Sequence, residues 1–138
     1  MPAPVDDLTL RSLIEAARAA SERAYCPYSR FPVGAAVLGD DGTISEGCNV
    51  ENASYGLTIC AERNAIFAAV ARGVRSIRLV VVFTPTDTPT APCGACRQVI
   101  NEFGQGAEIV SACDGSEVLR RTLPELLPDA FGPRDLSE

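Results

Sequence analysis

The stretch SIRLVVVFT, residues 76–84, limits what this chain can fold into more than any other segment. After Arg78 it runs through Leu79, Val80, Val81, Val82 and Phe83 without a polar residue, so it lacks the alternation of a half-exposed strand. A run of this kind is a central strand buried on both faces. Both faces then need cover, and the rest of the chain must supply apolar helices on either side.

The flanking sequence does so. Residues 7–24 repeat apolar positions (Leu10, Leu13, Ile14, Ala17, Ala20, Ala24) at helical spacing and predict a helix that stops before Pro27. FPVGAAVLGDDGTISEGCNV reads as two strands, about 32–38 and 43–49, joined by a turn at Asp41-Gly42. A second helix is expected over about 59–72, with Thr58 near its N-cap and Gly73 as its stop. PTDTPTAP is a loop, and Pro92 suits the first turn of a third helix ending at Gly104. AEIVSA and EVLRR flank CDGS as a closing hairpin, and TLPELL makes a short helix. Strands alternating with helices predict an α/β fold, a three-layer α/β/α sandwich around a mixed five-stranded sheet. Its interior is expected to be mostly parallel and its ends, made by the hairpins, antiparallel. With 138 residues the chain reads as one domain, burying on the order of two thirds of its unfolded surface.

Charge narrows the partners. Twelve Lys plus Arg against 18 Asp plus Glu leave a net charge of −6. No basic run exists to neutralise a phosphate backbone, which argues against nucleic acid and favours a small neutral substrate. No apolar stretch approaches the roughly 20 residues of a membrane span. MPAPVDDLTL lacks the basic and apolar regions of a signal peptide, so a cytoplasmic protein with reduced thiols is expected. Six cysteines then read as ligands or core residues rather than a disulfide framework. With no histidine in the chain, a metal site must use Cys, Asp or Glu.

Cys60, Cys93 and Cys96 all fall at expected helix N-termini, where unsatisfied N–H groups and the helix dipole stabilise thiolates. Cys93 and Cys96, three apart on a first turn, share one face. Alone, their C-x-x-C fits half of a structural zinc site or a redox pair equally well. Cys60 makes three ligands, the number a catalytic zinc keeps beside an open position. A structural site would need a fourth thiol from Cys26, Cys48 or Cys113, which read as small core or loop residues. Glu62 follows Cys60 by two, a spacing that points side chains apart within a helix. The pair converges only if Cys60 lies at the non-helical start of the turn. Otherwise Glu62 is an ordinary first-turn acid complementing the dipole.

C-x-E followed by P-C-x-x-C resembles the signature of zinc nucleobase deaminases, in the form with cysteine in place of the first histidine. FPVGAAV, CNVENASYGLTICAERNAI and APCGACRQVI resemble, more specifically, the cytidine deaminases of pyrimidine salvage, over about Tyr28 to Phe131. The resemblance implies hydrolysis of cytidine and 2′-deoxycytidine to the uridine products and ammonia. Cys60, Cys93 and Cys96 would hold one Zn²⁺ per subunit, and Glu62 would move protons while water attacks C4. Asn49 and Glu51 would hold the ribose, chiefly its 3′-hydroxyl, though loop polarity alone also explains such a pair. Phe31 would pack on the pyrimidine, although a Phe before a strand is often core, and Ala61 would line the same pocket. Tyr55 and Phe131 would reach a neighbouring subunit's site in a homotetramer with composite sites. The tail LLPDAFGPRDLSE would otherwise fray.

Three thiolates over-neutralise a divalent cation and oppose ionising water on it. Arg63 and Arg97 each follow a site residue and could donate charge-assisted hydrogen bonds to the sulfurs. For Arg63 the resemblance supports this; Arg97 reads equally well as a surface helix residue. Other outcomes remain open at this stage: a deaminase of a different base, a nucleotide deaminase, or a structural zinc module.

Overall fold

A computed structural model of the chain describes residues 5–137. Helix α1 spans Asp7–Ser21, capped by the Asp6 carboxylate, which accepts from Thr9 N at 2.8 Å. Strands β1 (Gly34–Gly39) and β2 (Ile44–Cys48) form a hairpin. A 3₁₀ turn at Tyr55–Leu57 leads to α2 (Ala61–Ala71), β3 (Ile77–Phe83) and α3 (Gly94–Phe103). A second hairpin, β4 (Glu108–Ala112) with β5 (Leu119–Thr122), is followed by the short helix α4 (Leu123–Leu126).

The sheet order is β2-β1-β3-β4-β5, five strands as expected. Its interior is not mostly parallel. β1 pairs antiparallel with both β2 and β3, and β3–β4 is the parallel pair among the described strands. The cause is the crossover. Helix α2 passes over β1 and returns the chain on its far side, so β2 and β3 run together with β1 opposed between them.

The layers follow from the β3 side chains. Leu79, Val81 and Phe83 pack with Leu13 and Ala17 of α1 on one face. Val80 joins Ala65, Ile66 and Ala69 of α2, Ile100 of α3 and Leu123 of α4 on the other. Each face of β3 is therefore filled, which is why its sequence shows no polar alternation.

Element ends differ from the expectations in ways that bear on the site. Helix α1 stops at Ser21, and Tyr25 instead enters a backbone ladder, donating to Asn49 O and accepting from Glu51 N. Thr58 closes the 3₁₀ turn, so the N-cap of α2 is Cys60. Pro92 precedes the N-cap of α3, which is Cys93. The tail is pinned: Phe131 O accepts from Gln98 Nε2 at 2.9 Å and Asn101 Nδ2 at 3.1 Å, and Gly132 N donates to Asp135 at 2.8 Å.

Both helix layers sit on the sheet through glycines. A Cβ at Gly34 would overlap Ala17 O, and one at Gly47 would overlap Ala65 N and lie 2.7 Å from Ala61 O. Both obstacles are backbone, which cannot rotate away. Gly34→Ala should therefore cost about 3 kcal/mol or more in denaturant unfolding, the upper part of the overpacking range. Gly56→Ala, with nothing within 4 Å of the added carbon, should stay within about 0.5 kcal/mol.

Candidate active site

The starts of α2 and α3 meet beside the end of β3, and their N-caps are both cysteines. Neither Cys60 nor Cys93 caps its own helix with its side chain; both backbones are extended, with ψ of 157° and 170°. The non-helical start that the Cys60–Glu62 spacing required is thus present. Cys96, in the first turn of α3, brings the third sulfur. The Cys60–Cys93 and Cys93–Cys96 sulfur distances are 3.8 and 3.5 Å, and all three sulfurs lie within 4.8 Å of one another. Sulfurs shared by one tetrahedral zinc at about 2.3 Å would stand about 3.8 Å apart, so the residues fit the ion. Of the other thiols, Cys113 is turned to the carbonyls of Asp87 and Glu117, both at 3.5 Å. Among the described residues no other group of three ligand side chains assembles.

The thiols do not share charge evenly. Hydrogen bonding by Cys96, then by Arg63 and Cys93, lowers Cys60 to about 5 despite burial. Its hydrogen bond with Cys60, and then burial, push Cys96 up. A cation that displaces the shared protons resolves this imbalance, as thiolate ligation requires. Arg63 Nη2 donates to Cys60 Sγ at 3.4 Å, and its buried Nε has no partner among the described residues. A guanidinium with a donor to spare beside three sulfurs suits a site that gathers thiolates.

Arg97 behaves differently. Its Nε donates to Pro92 O and its Nη1 to Leu126 O, both at 2.8 Å. Of the two readings open for Arg97, donation to the sulfurs is not the one made; the side chain forms a bridge from the segment before Cys93 to the end of α4. Although Arg97 adjoins Cys96 in sequence, consecutive helical side chains diverge, and the guanidinium leaves on another side.

Glu62, in the first turn of α2, is 5% exposed, and burial pushes its carboxyl up to about 7. It opens with Cys60 and Cys93 onto a cavity of about 290 Å³. Phe31, Asn49, Glu51 and Ala61 line the same cavity, so the structure gathers them with the metal cluster. Asn49 is engaged on both sides of its amide, accepting from Val33 N and donating to Phe31 O, each at 2.9 Å. Glu51 accepts from Tyr28 N at 3.0 Å, Ser29 N at 3.1 Å and, through a short contact, the Ser29 hydroxyl. That last bond is the main reason its pKa is lowered.

Tyr55 stands at a neighbouring depression with Tyr28, their rings edge-on at 5.9 Å. Phe131 does not line the cavity of its own chain and is 58% exposed. Sequence reasoning missed Ser29, Val82, Thr84, Thr90 and Ala91, which also line the cavity. The signal available for Thr84 was its place as the first polar residue after the β3 run. Nothing in PYSRFP marked Ser29.

The comparisons with known proteins agree with this geometry. The model of the cytidine and deoxycytidylate deaminase zinc-binding region matches residues 8–113. This chain belongs to that family. A cytidine deaminase of Sporosarcina psychrophila is 49% identical over 131 residues, covering 94% of this chain and 96% of its own. One of Mycobacterium tuberculosis is 47% identical over 117 residues, with 85% of each chain covered. Among solved structures, the cytidine deaminase from Burkholderia pseudomallei superposes with a TM-score of 0.83 at 51% identity, over 88% of this chain and 98% of that one. Family members thus share this three-layer fold and its mixed sheet.

The position of Arg97 makes a prediction separate from metal binding. Arg97→Ala removes two charge-assisted bonds to backbone carbonyls and should lower unfolding stability by roughly 1.5–3 kcal/mol. The zinc content of the folded protein should stay near one per chain. Loss of zinc without loss of stability would place Arg97 on the sulfurs after all.

Proposed function

We propose that this protein hydrolyses cytidine and 2′-deoxycytidine to uridine and 2′-deoxyuridine, releasing ammonia. The observation that carries the reading is a buried carboxyl, Glu62, opening with Cys60 and Cys93 onto one small cavity beside a cluster of three cysteine sulfurs. Cys60, Cys93 and Cys96 would hold zinc. When bound, the ion supplies Lewis acidity that makes water a usable nucleophile near neutral pH.

The chain's own residues do the rest. Glu62 accepts the proton that water gives up on attacking C4, passes it to ring N3, and later delivers a proton to the departing amino nitrogen. A carboxyl held near 7 by burial can hold and release that proton near neutrality, the condition general acid–base catalysis needs. Phe31 and Val82 offer apolar surface to the pyrimidine, and Ala61 adds to the wall. Asn49 and Glu51 face the sugar. Glu51 stays ionised, and no arginine lines the cavity, so a nucleoside is favoured over a nucleotide, whose phosphate the carboxylate would repel.

Arg63 offsets the negative charge of the thiolate cluster. The protein works in the cytoplasm, where thiols remain reduced, and assembles as a homotetramer with composite sites. Support for the assembly comes from Phe131, a large exposed ring whose backbone is pinned to α3. Tyr55 and Leu57, 75% and 63% exposed, add apolar surface beside the cavity.

Glu62→Gln should keep zinc and substrate binding while losing roughly 10²–10⁴-fold or more in turnover, measured by the fall in cytidine absorbance. Near-native turnover would remove the proton-transfer role. Cys93→Ala should lose zinc and activity together. Phe131→Ala keeps the backbone anchors of the tail, so it should raise KM for cytidine at unchanged zinc content. Light scattering of the wild type should give close to four times 14.6 kDa, and a fully active monomer would refute the shared site.

A further inference from the structure

Two side chains that follow β2 make most of the side-chain bonds to the segment 28–33, while Arg30 N donates to Cys26 O at 2.9 Å and Val33 O accepts from Asn49 N at 3.2 Å. Asn49 takes Phe31 O and Val33 N, while Glu51 takes Tyr28 N and Ser29 N. Phe31 N is reached by neither side chain and donates to Ser29 Oγ at 3.1 Å. The direction of the chain of bonds is fixed by chemistry. A backbone N–H can only donate, so Ser29 Oγ accepts from Phe31, and its own proton is left for the Glu51 carboxylate, which can only accept. Ser29 therefore stands between the carboxylate at the sugar end of the cavity and the backbone of the aromatic at its base end.

We propose that Ser29 is a positioning and specificity-determining residue, whose hydroxyl couples the engagement of a sugar hydroxyl at Glu51 to the placement of Phe31 against the base. This inference rests on the reading that Glu51 receives the ribose. Of the roughly four lone-pair sites on the carboxylate, three are occupied by Tyr28 N, Ser29 N and the Ser29 hydroxyl. One remains for the substrate, on a group whose orientation the Ser29 bond sets. Arg30, between Ser29 and Phe31, is held at φ 56°, a left-handed conformation that a side chain rarely adopts. Its own N–H donates to Cys26 O at 2.9 Å, and the bonds made by Ser29 N and Phe31 N on either side help to keep that bend. Without the Ser29 hydroxyl, Phe31 N loses its partner, the bend loses its support on the Phe31 side, and the ring is free to drift from the pyrimidine. Ser29 itself is exposed and belongs to neither core cluster, so its removal leaves the packing of the fold intact.

The test compares cytidine with 3′-deoxycytidine as substrates of the zinc-loaded, full-length enzyme in wild-type, Ser29→Ala and Ser29→Thr forms. In Ser29→Ala, KM for cytidine should rise roughly tenfold while kcat changes less than about threefold. The wild-type preference for cytidine over 3′-deoxycytidine in kcat/KM should fall by at least about fivefold in that variant. Ser29→Thr, which keeps the hydroxyl, should restore most of both. A merely structural serine would slow both substrates alike and leave the ratio unchanged, which would overturn the inference. Loss of zinc or of the folded state in Ser29→Ala would overturn it too. If the wild type itself ignores the 3′-hydroxyl, the assignment of Glu51 to the sugar falls and takes this inference with it. A wild type that discriminates, beside an alanine variant that discriminates as well, overturns the role of Ser29 alone.

Discussion

The closest helix–sheet contact beside the site is at Gly47, where α2 rests its backbone on β2 with no side chain between. Ala61, Ala65 and Ala69 face the sheet there, and their small size permits the approach. The depth at which α2 lies determines where its first turn points. A longer side chain at Gly47 would lift Ala61 and with it Cys60 and Glu62, which flank it. Gly34 does the same for α1 on the opposite face, against Ala17. The sheet is thereby gripped at a fixed spacing on both sides, and the cavity forms where β2 and β3 end under the two helix starts.

Within that frame the electrostatics are mutually dependent. Two helix N-termini supply partial positive charge, Arg63 adds a full one, and the cysteines accept both. Glu62 lies within the same field but is buried and rises, whereas Cys60 falls. Two acidic groups separated by one residue are therefore shifted in opposite directions, the thiol down to about 5 and the carboxyl up to about 7. That contrast divides the labour: the sulfur is ready to bind a cation, and the carboxyl is ready to carry a proton. The division does not come from residue type alone. Glu51, half-buried and hydrogen-bonded by Ser29, moves the other way from Glu62 and stays charged.

Much of this was legible in sequence because it depends on local pattern. The β3 run announced a strand covered on both faces, and the Cys60–Glu62 spacing demanded a helix start between them. The direction of β1 against β3 was not legible, since apolar runs carry no record of which way a neighbour runs; the crossover decides it. Arg97 stayed open between two readings because adjacency to Cys96 in sequence says little about direction on a helix. The anchoring of the tail was hidden because Gln98 and Asn101 look like ordinary helix polar residues until Phe131 O is found on them. Ser29 was hidden for a similar reason: its carboxylate partner lies 22 residues away.

Asn49 and Glu51 show how a pocket can be ordered before its ligand arrives. A ligand-binding amide and carboxylate in a loop would normally sample several rotamers and lose that freedom on binding. Here Tyr28 N, Ser29 N, Val33 N and Phe31 O need partners and find them in these two side chains, so their rotamers are fixed by the fold. The left-handed turn at Arg30 costs about 1 kcal/mol or more, a strain that the surrounding bonds must offset. The bend is what brings Phe31 N back to the hydroxyl two residues earlier. Removing the amide or the carboxylate would therefore disturb the placement of the Phe31 ring as well as the polar side of the cavity. On the proposed reading the two halves of the substrate meet one hydrogen-bonded unit, and their contributions to binding should not be additive.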